Sequence, residues 1–278
     1  MSVKRKKIFI TVKTYPNPSA SYIETVCTAG IVENEGWIRL YPVPFRVSKD
    51  LTNKQFKKYQ WITVDVVKRR ASTLDKRPES FSPQTGTLEL GDIIPSSSEA
   101  RKDIIFNNTK TYDDLAEIIT LAKEFKISLA TFRPSKVLKF YAEPQKNRDW
   151  TKEERDKLEK EFTQVDFLSG DNLKKSNLRK VPYKFKFELE DSKGKTSNMM
   201  IEDWEVGALY WNIFDKTKSE EETVQKVIDK YTSIYQNEDC TFFLGTVNKN
   251  QNRNAPNPFV IIGLFHTPKT LQTTLDFS

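Results

Sequence analysis

Trp37, Arg39 and Tyr41 recur at every second residue, with Phe45 and Arg46 following after Pro42 and Pro44. A strand would place the first three on one face. Flat rings beside guanidinium groups can stack bases and hold phosphates, which is nucleic-acid chemistry. The competing reading puts Trp37 and Tyr41 in a core and makes Arg39 an ion-pair partner. A second cluster comprises Lys68, Arg69 and Arg70, followed by Lys76 and Arg77. Three adjacent cations at a strand end are placed to meet a phosphate backbone, or they simply form a solvated basic loop. A third cluster joins Lys174, Lys175, Arg179 and Lys180 to the lysines of the stretch Tyr183 to Glu190.

Glu202, Asp203 and Glu205 form a carboxylate cluster. Such groups can hold Mg²⁺ for phosphodiester cleavage. Acidic residues in a first helical turn equally well complement the helix dipole, and Asp203 reads as an N-cap. The rest of the chemical inventory is thin. His266 is the one histidine, and Cys27 and Cys240 are the two cysteines, without CxxC or HxxxH spacing. Zinc is therefore not expected, and a disulfide framework is not either. Neither a GxxxxGK[ST] nor a GxGxxG loop occurs, and nine glycines disfavour a nucleotide-cofactor fold. The expectation is a protein with no catalytic residue, no metal and no cofactor.

These side chains must be positioned by 278 residues, enough for one large domain or two ordinary ones. Eighteen Phe, ten Tyr and five Trp supply core volume that a hydrophobic share of 37% would otherwise lack. No apolar run reaches the length of a membrane-spanning helix, and Ile8 to Val12 is too short for a signal-peptide core. The expectation is a cytoplasmic protein without membrane contact. Net charge is +7, with the cationic excess in residues 1–200 and an anionic excess in residues 201–278. A basic surface attracts polyanions.

Strands are predicted at 8–13, 37–41, 59–67, 128–133, 183–190, 240–247 and 259–265, on alternation and β-branched content. Ile62, Val64 and Val66 should face the core. Tyr22 to Ile31 is ambiguous between helix and strand, and residues 72–98 read as loop. A helix is predicted over 112–125, capped by Thr111 with Asp114 in a capping-box arrangement. Further helices should start at Thr151 with Glu154, at Asp203, and at Ser219 with Glu222. The expected fold is α+β and β-rich, with small barrels bearing inserted helices rather than a doubly wound sheet.

Several stretches together carry a resemblance: residues 26–31, 37–46, 77–81, 181–185, 201–205 with Leu209 and Tyr210, 242–246, and 261–265. The set resembles a family of prokaryotic proteins described as dual OB-containing. That resemblance implies two OB-like barrels and a setting among anti-phage defence or DNA-modification genes. The expected domains are an N-terminal barrel at 1–105, a helical connector with a basic loop at 106–180, and a C-terminal OB-like domain with a helical insertion at 181–278.

The function expected is binding of DNA or RNA through Arg39, Tyr41 and Arg46, with Lys68, Arg69, Arg70 and Arg77 on phosphates. One alternative is a protein-interaction subunit of a larger defence complex, meeting a partner from the same operon through the apolar helix around Trp204, Tyr210 and Trp211. A second is a Mg²⁺-dependent nuclease using Glu202, Asp203 and Glu205.

Overall fold

A computed structural model of the chain describes residues 2–15, 25–44, 56–69, 75–96, 99–154, 156 and 179–269. It is α+β and strand-rich. Five strands build the first half: β1 (Val3–Lys13), β2 (Thr25–Val32), β3 (Gly36–Pro44), β4 (Gln60–Lys68) and β5 (Ser80–Ile93). They close into a barrel in the order β1-β2-β3-β5-β4. The β3–β5 pairing is parallel, with Arg39 opposite Ser80, and the other four are antiparallel. The turn between β2 and β3 uses Asn34 and Gly36 at positive φ, where glycine carries no steric cost.

Alternation explains β4: Ile62, Val64 and Val66 are buried and face Ile8, Ile10, Ile38 and Leu40 inside the barrel. β1 follows another rule. Every residue from Ile8 to Val12 is buried. Ile8 and Ile10 fill the barrel, whereas Phe9 and Val12 pack outward against Phe243, Ile262 and Phe265 of the second half. A strand covered on both faces needs a continuous apolar run, which is what the sequence has there.

The second half contains helices α1 (Ala100–Asn108), α2 (Leu115–Lys123), α3 (Trp204–Thr217), α4 (Glu220–Asn237) and α5 (Asn248–Asn252). Its strands are β6 (Thr111–Tyr112), β7 (Leu129–Phe132), β8 (Lys136–Pro144), β9 (Tyr183–Glu190), β10 (Thr196–Met200), β11 (Glu238–Thr246) and β12 (Phe259–Pro268). They form a three-stranded sheet β10-β9-β8 and a four-stranded sheet β12-β11-β7-β6. An aromatic core of Phe140, Phe185, Phe187, Tyr210, Tyr231 and Phe242 joins both sheets to the helices.

Two expectations change. The stretch 106–180 is not a separate connector, because β7 pairs with β11 and β8 pairs with β9. Where two barrels are expected, the described residues close one, and the second half holds two open sheets. Locally, the ambiguous stretch before Ile31 is β2, and much of the presumed loop 72–98 is β5. Past β1 the chain meets α3: the amide of Tyr15 donates to the Glu202 carbonyl at 2.8 Å, and its ring lies against Gly207. No helix among the described residues is long and apolar enough to cross a membrane.

Candidate nucleic-acid interface

Arg39 lies on the outer face of β3, which the second half covers. Only 2% of its surface is exposed. Its Nη2 donates to the Ser128 carbonyl at 2.9 Å. The Glu79 carboxylate accepts from the Ser128 amide at 2.9 Å and from its hydroxyl at 2.5 Å. Beside Arg39, the Trp37 ring meets Phe243 edge-on with centroids 5.2 Å apart. Arg77 makes a two-point pair with Asp75, both contacts at 2.8 Å, and donates through Nη1 to the Thr246 carbonyl at 3.1 Å. Burial works to raise the Asp75 carboxyl, but Arg77 and Arg39 hold it below the ordinary aspartate value.

Arg39 and Arg77 are therefore anchors between the two halves, which corrects their assignment as nucleic-acid contacts. The reason is steric and energetic. Trp37, Ala29, Ile31 and Phe9 make the barrel face too apolar to leave in water, and the β7–β11–β12 sheet covers it. The guanidinium groups buried with that face find carbonyl and carboxylate partners, as buried cations must.

Three of the remaining residues converge. At the end of the barrel where β3, β4 and β5 meet, the Arg69 guanidinium lies 5.4 Å from the Tyr41 ring centroid and donates to the Tyr41 carbonyl at 3.1 Å. Lys68 Nζ stands 4.5 Å over Phe81. Lys68 is exposed, and Tyr41 and Phe81 are half-buried. Partial burial, with Lys4 nearby, pulls the Lys68 ammonium below its ordinary value, while Glu79 opposes the shift. The result is two rings, each bearing a cation, side by side. Arg46 and Arg70 lie outside the described residues. Phe81 was missed as a site residue, since it sits in a stretch that reads as loop.

The carboxylate cluster has a different occupant. Lys58 Nζ sits 2.9 Å from Asp203 Oδ2 and 2.7 Å from Glu205 Oε2. Burial alone would pull the Lys58 ammonium down, but Asp203, Tyr59 and Glu205 together hold it well above the ordinary lysine value. Asp203 also caps α3, accepting from the Glu205 amide at 3.1 Å. A metal ion at these two carboxylates would have to displace an ammonium group. Among the described residues no group of three His, Cys, Asp or Glu is placed to hold one. His266 pairs through Nδ1 with Glu238 at 2.6 Å, and burial pushes the Cys240 thiol up to about 12, so neither supplies a nucleophile–base pair. The rings considered for a protein partner are engaged: Tyr210 is fully buried, Trp204 stacks on Tyr15 at 5.3 Å, and Arg179 covers Trp211 at 4.0 Å.

Family models match the chain in two adjacent segments. Residues 4–107, the barrel with most of α1, match Domain of unknown function (DUF8758). Residues 108–277 match Domain of unknown function (DUF8757). No curated protein matches the chain. The boundary between the two models falls at the end of α1, so the β7 and β8 strands group with the second half in sequence as they do in the sheets. With residues 108–277 of 278 matched, the chain belongs to the family described as Domain of unknown function (DUF8757).

Proposed function

We propose that the protein is a nucleic-acid-binding module that contacts its ligand at the Tyr41–Phe81 end of the barrel, with Lys68 and Arg69 on phosphates. The observation carrying this reading is the pair of half-buried rings with a cation over each. Stacking on such rings tolerates any base, and adjacent cations supply the sequence-independent attraction. The strand order β1-β2-β3-β5-β4 with parallel β3 and β5 supports an OB-like barrel. OB barrels commonly bind oligonucleotides on the face of strands 2 and 3 and on neighbouring loops. Here the outer face of β3 packs on the second half, which leaves the loop end as the place for a ligand. The resemblance to dual OB-containing proteins extends the proposal to a component of an anti-phage defence or DNA-modification system.

The test is fluorescence anisotropy with a labelled single-stranded oligonucleotide at low salt. Affinity should fall steeply as salt rises, and Tyr41→Ala with Lys68→Glu should weaken binding about tenfold or more. The proposal fails if no single- or double-stranded DNA or RNA binds at low salt, or if the double variant binds like the parent.

A further inference from the structure

A cavity of about 320 Å³ lies between the β9–β10 ends, the start of α3 and Tyr15. Its volume sits at the lower end of the ~300–1,000 Å³ usual for small-molecule sites. Trp150, Tyr183 and Phe185 give it flat walls, and Lys180 and Lys184 border it. Trp150 is 8% exposed and carries the Lys180 ammonium 5.2 Å from its ring centroid. Lys180 also reaches the Asp149 carbonyl at 3.5 Å and Glu154 at 3.8 Å, and the Tyr183 hydroxyl donates to Glu220 at 3.1 Å. Lys184 is exposed.

Glu202 lines this cavity, one residue before the carboxylates that hold Lys58. Its main chain is pinned on both sides: the amide donates to the Ile261 carbonyl and the carbonyl accepts from the Tyr15 amide, both at 2.8 Å. Its carboxyl has no hydrogen bond or ion pair among the described residues, and burial alone pushes it above the ordinary glutamate value. Buried polar groups are nearly always satisfied, so one held without a partner at the wall of a cavity asks what it receives. A carboxyl accepts an N–H whether it is charged or neutral. The aromatic walls ask for a flat partner, and the lysines at the border ask for an anion. A simple amine would leave the rings unused, and a neutral sugar would leave the lysines unused.

We infer that the cavity is a nucleotide site, in which an amino-bearing nucleobase lies between the rings and donates its exocyclic N–H to Glu202, with phosphate toward Lys184. The nucleotide is either free or part of a strand, and only the strand-borne form rests on the nucleic-acid function proposed above.

Quenching of tryptophan fluorescence by the 5′-monophosphates of adenosine, guanosine, cytidine and uridine tests this. At least one of the three amino-bearing nucleotides should bind about tenfold or more tighter than uridine monophosphate, which presents a carbonyl at that position. Glu202→Leu should abolish the preference while leaving the melting temperature unchanged or raised, because it removes an unpartnered buried carboxyl. Lys184→Ala should weaken all four alike. No binding at millimolar nucleotide, a preference that survives Glu202→Leu, or a lowered melting temperature in that variant would overturn the inference. Lys68→Glu separates the two sites: it should weaken oligonucleotide binding and leave mononucleotide binding untouched. A protein that binds mononucleotides but no strand refutes the barrel-end reading alone, and the reverse result refutes the cavity alone. A strand that competes with mononucleotide identifies the strand-borne form, and one that does not identifies the free form.

Discussion

Lys13 ends β1 with its ammonium 3.1 Å from the Phe56 carbonyl and 5.1 Å from the Phe56 ring centroid. Burial pulls it down to about 8 from 10.5. Between those values the unfolded chain binds the proton and the folded chain does not, so Lys13 makes stability rise with pH. Tyr15, Tyr59 and Tyr210 act in the opposite sense. Burial pushes each to about 12 from 10.0, so their contribution is present below pH 10 and is lost as pH climbs toward 12. Urea unfolding against pH should therefore show stability gained above about 8 and given up above about 10, and Lys13→Met should flatten the first limb only. None of these environments is visible in the residue types. Trp37 and Arg39 show the same limit from another side: a ring and a guanidinium on one strand face suit a polyanion and a buried seam equally, and only the covering sheet decides.

Helix starts were legible because a cap is a two-group device confined to four residues. Thr151 and Glu154 exchange bonds as their spacing predicts, with the Thr151 amide donating to Glu154 at 2.8 Å and the Glu154 amide to Thr151 at 3.2 Å. Ser219 likewise accepts from the Glu222 amide at 3.3 Å. The same pattern misled at Thr111, which pairs with Thr131 in β6, while Asp114 caps α2 by accepting from the Ala116 and Glu117 amides at 2.8 and 3.3 Å. Asp114→Ala should then cost about 1 kcal/mol in chemical denaturation, and Thr111→Ala should leave the α2 helix intact by circular dichroism. β5 and β8 were not legible. Leu88 is the one interior residue along most of β5, and Phe140 plays that part in β8, so neither shows the alternation that marks a half-buried strand. Their pairing with β4 and β9 holds them, and pairing leaves no periodic trace.

At the scale of the molecule, the halves share an apolar seam: Phe9, Val12, Ala29, Ile31 and Trp37 on one side, Leu129, Phe243, Ile262 and Phe265 on the other. Arg39, Glu79 and Arg77 add polar contacts at its edge. Such an interface ties the two halves into one cooperative unit. The intact chain should melt in a single transition. Trp37→Ala should cost about 3 kcal/mol, and residues 1–107 expressed alone should bind a hydrophobic dye that the whole chain ignores. The uneven charge was readable from composition, whereas the seam was not, because its residues lie up to 250 positions apart.

Gly207 gives the joint between the halves its closeness. A Cβ there would stand 2.2 Å from Tyr15 Cδ2 and 2.5 Å from Cε2. One hydrogen atom in place of a methyl group therefore sets how near the tail of β1 comes to α3. A larger residue would act as a wedge, prising the phenol outward and the Tyr15 amide away from Glu202. The width of the nucleotide chamber and the angle between the two halves would then change together, so this glycine is the point from which the molecule's aperture could be re-cut without touching any group that meets the ligand.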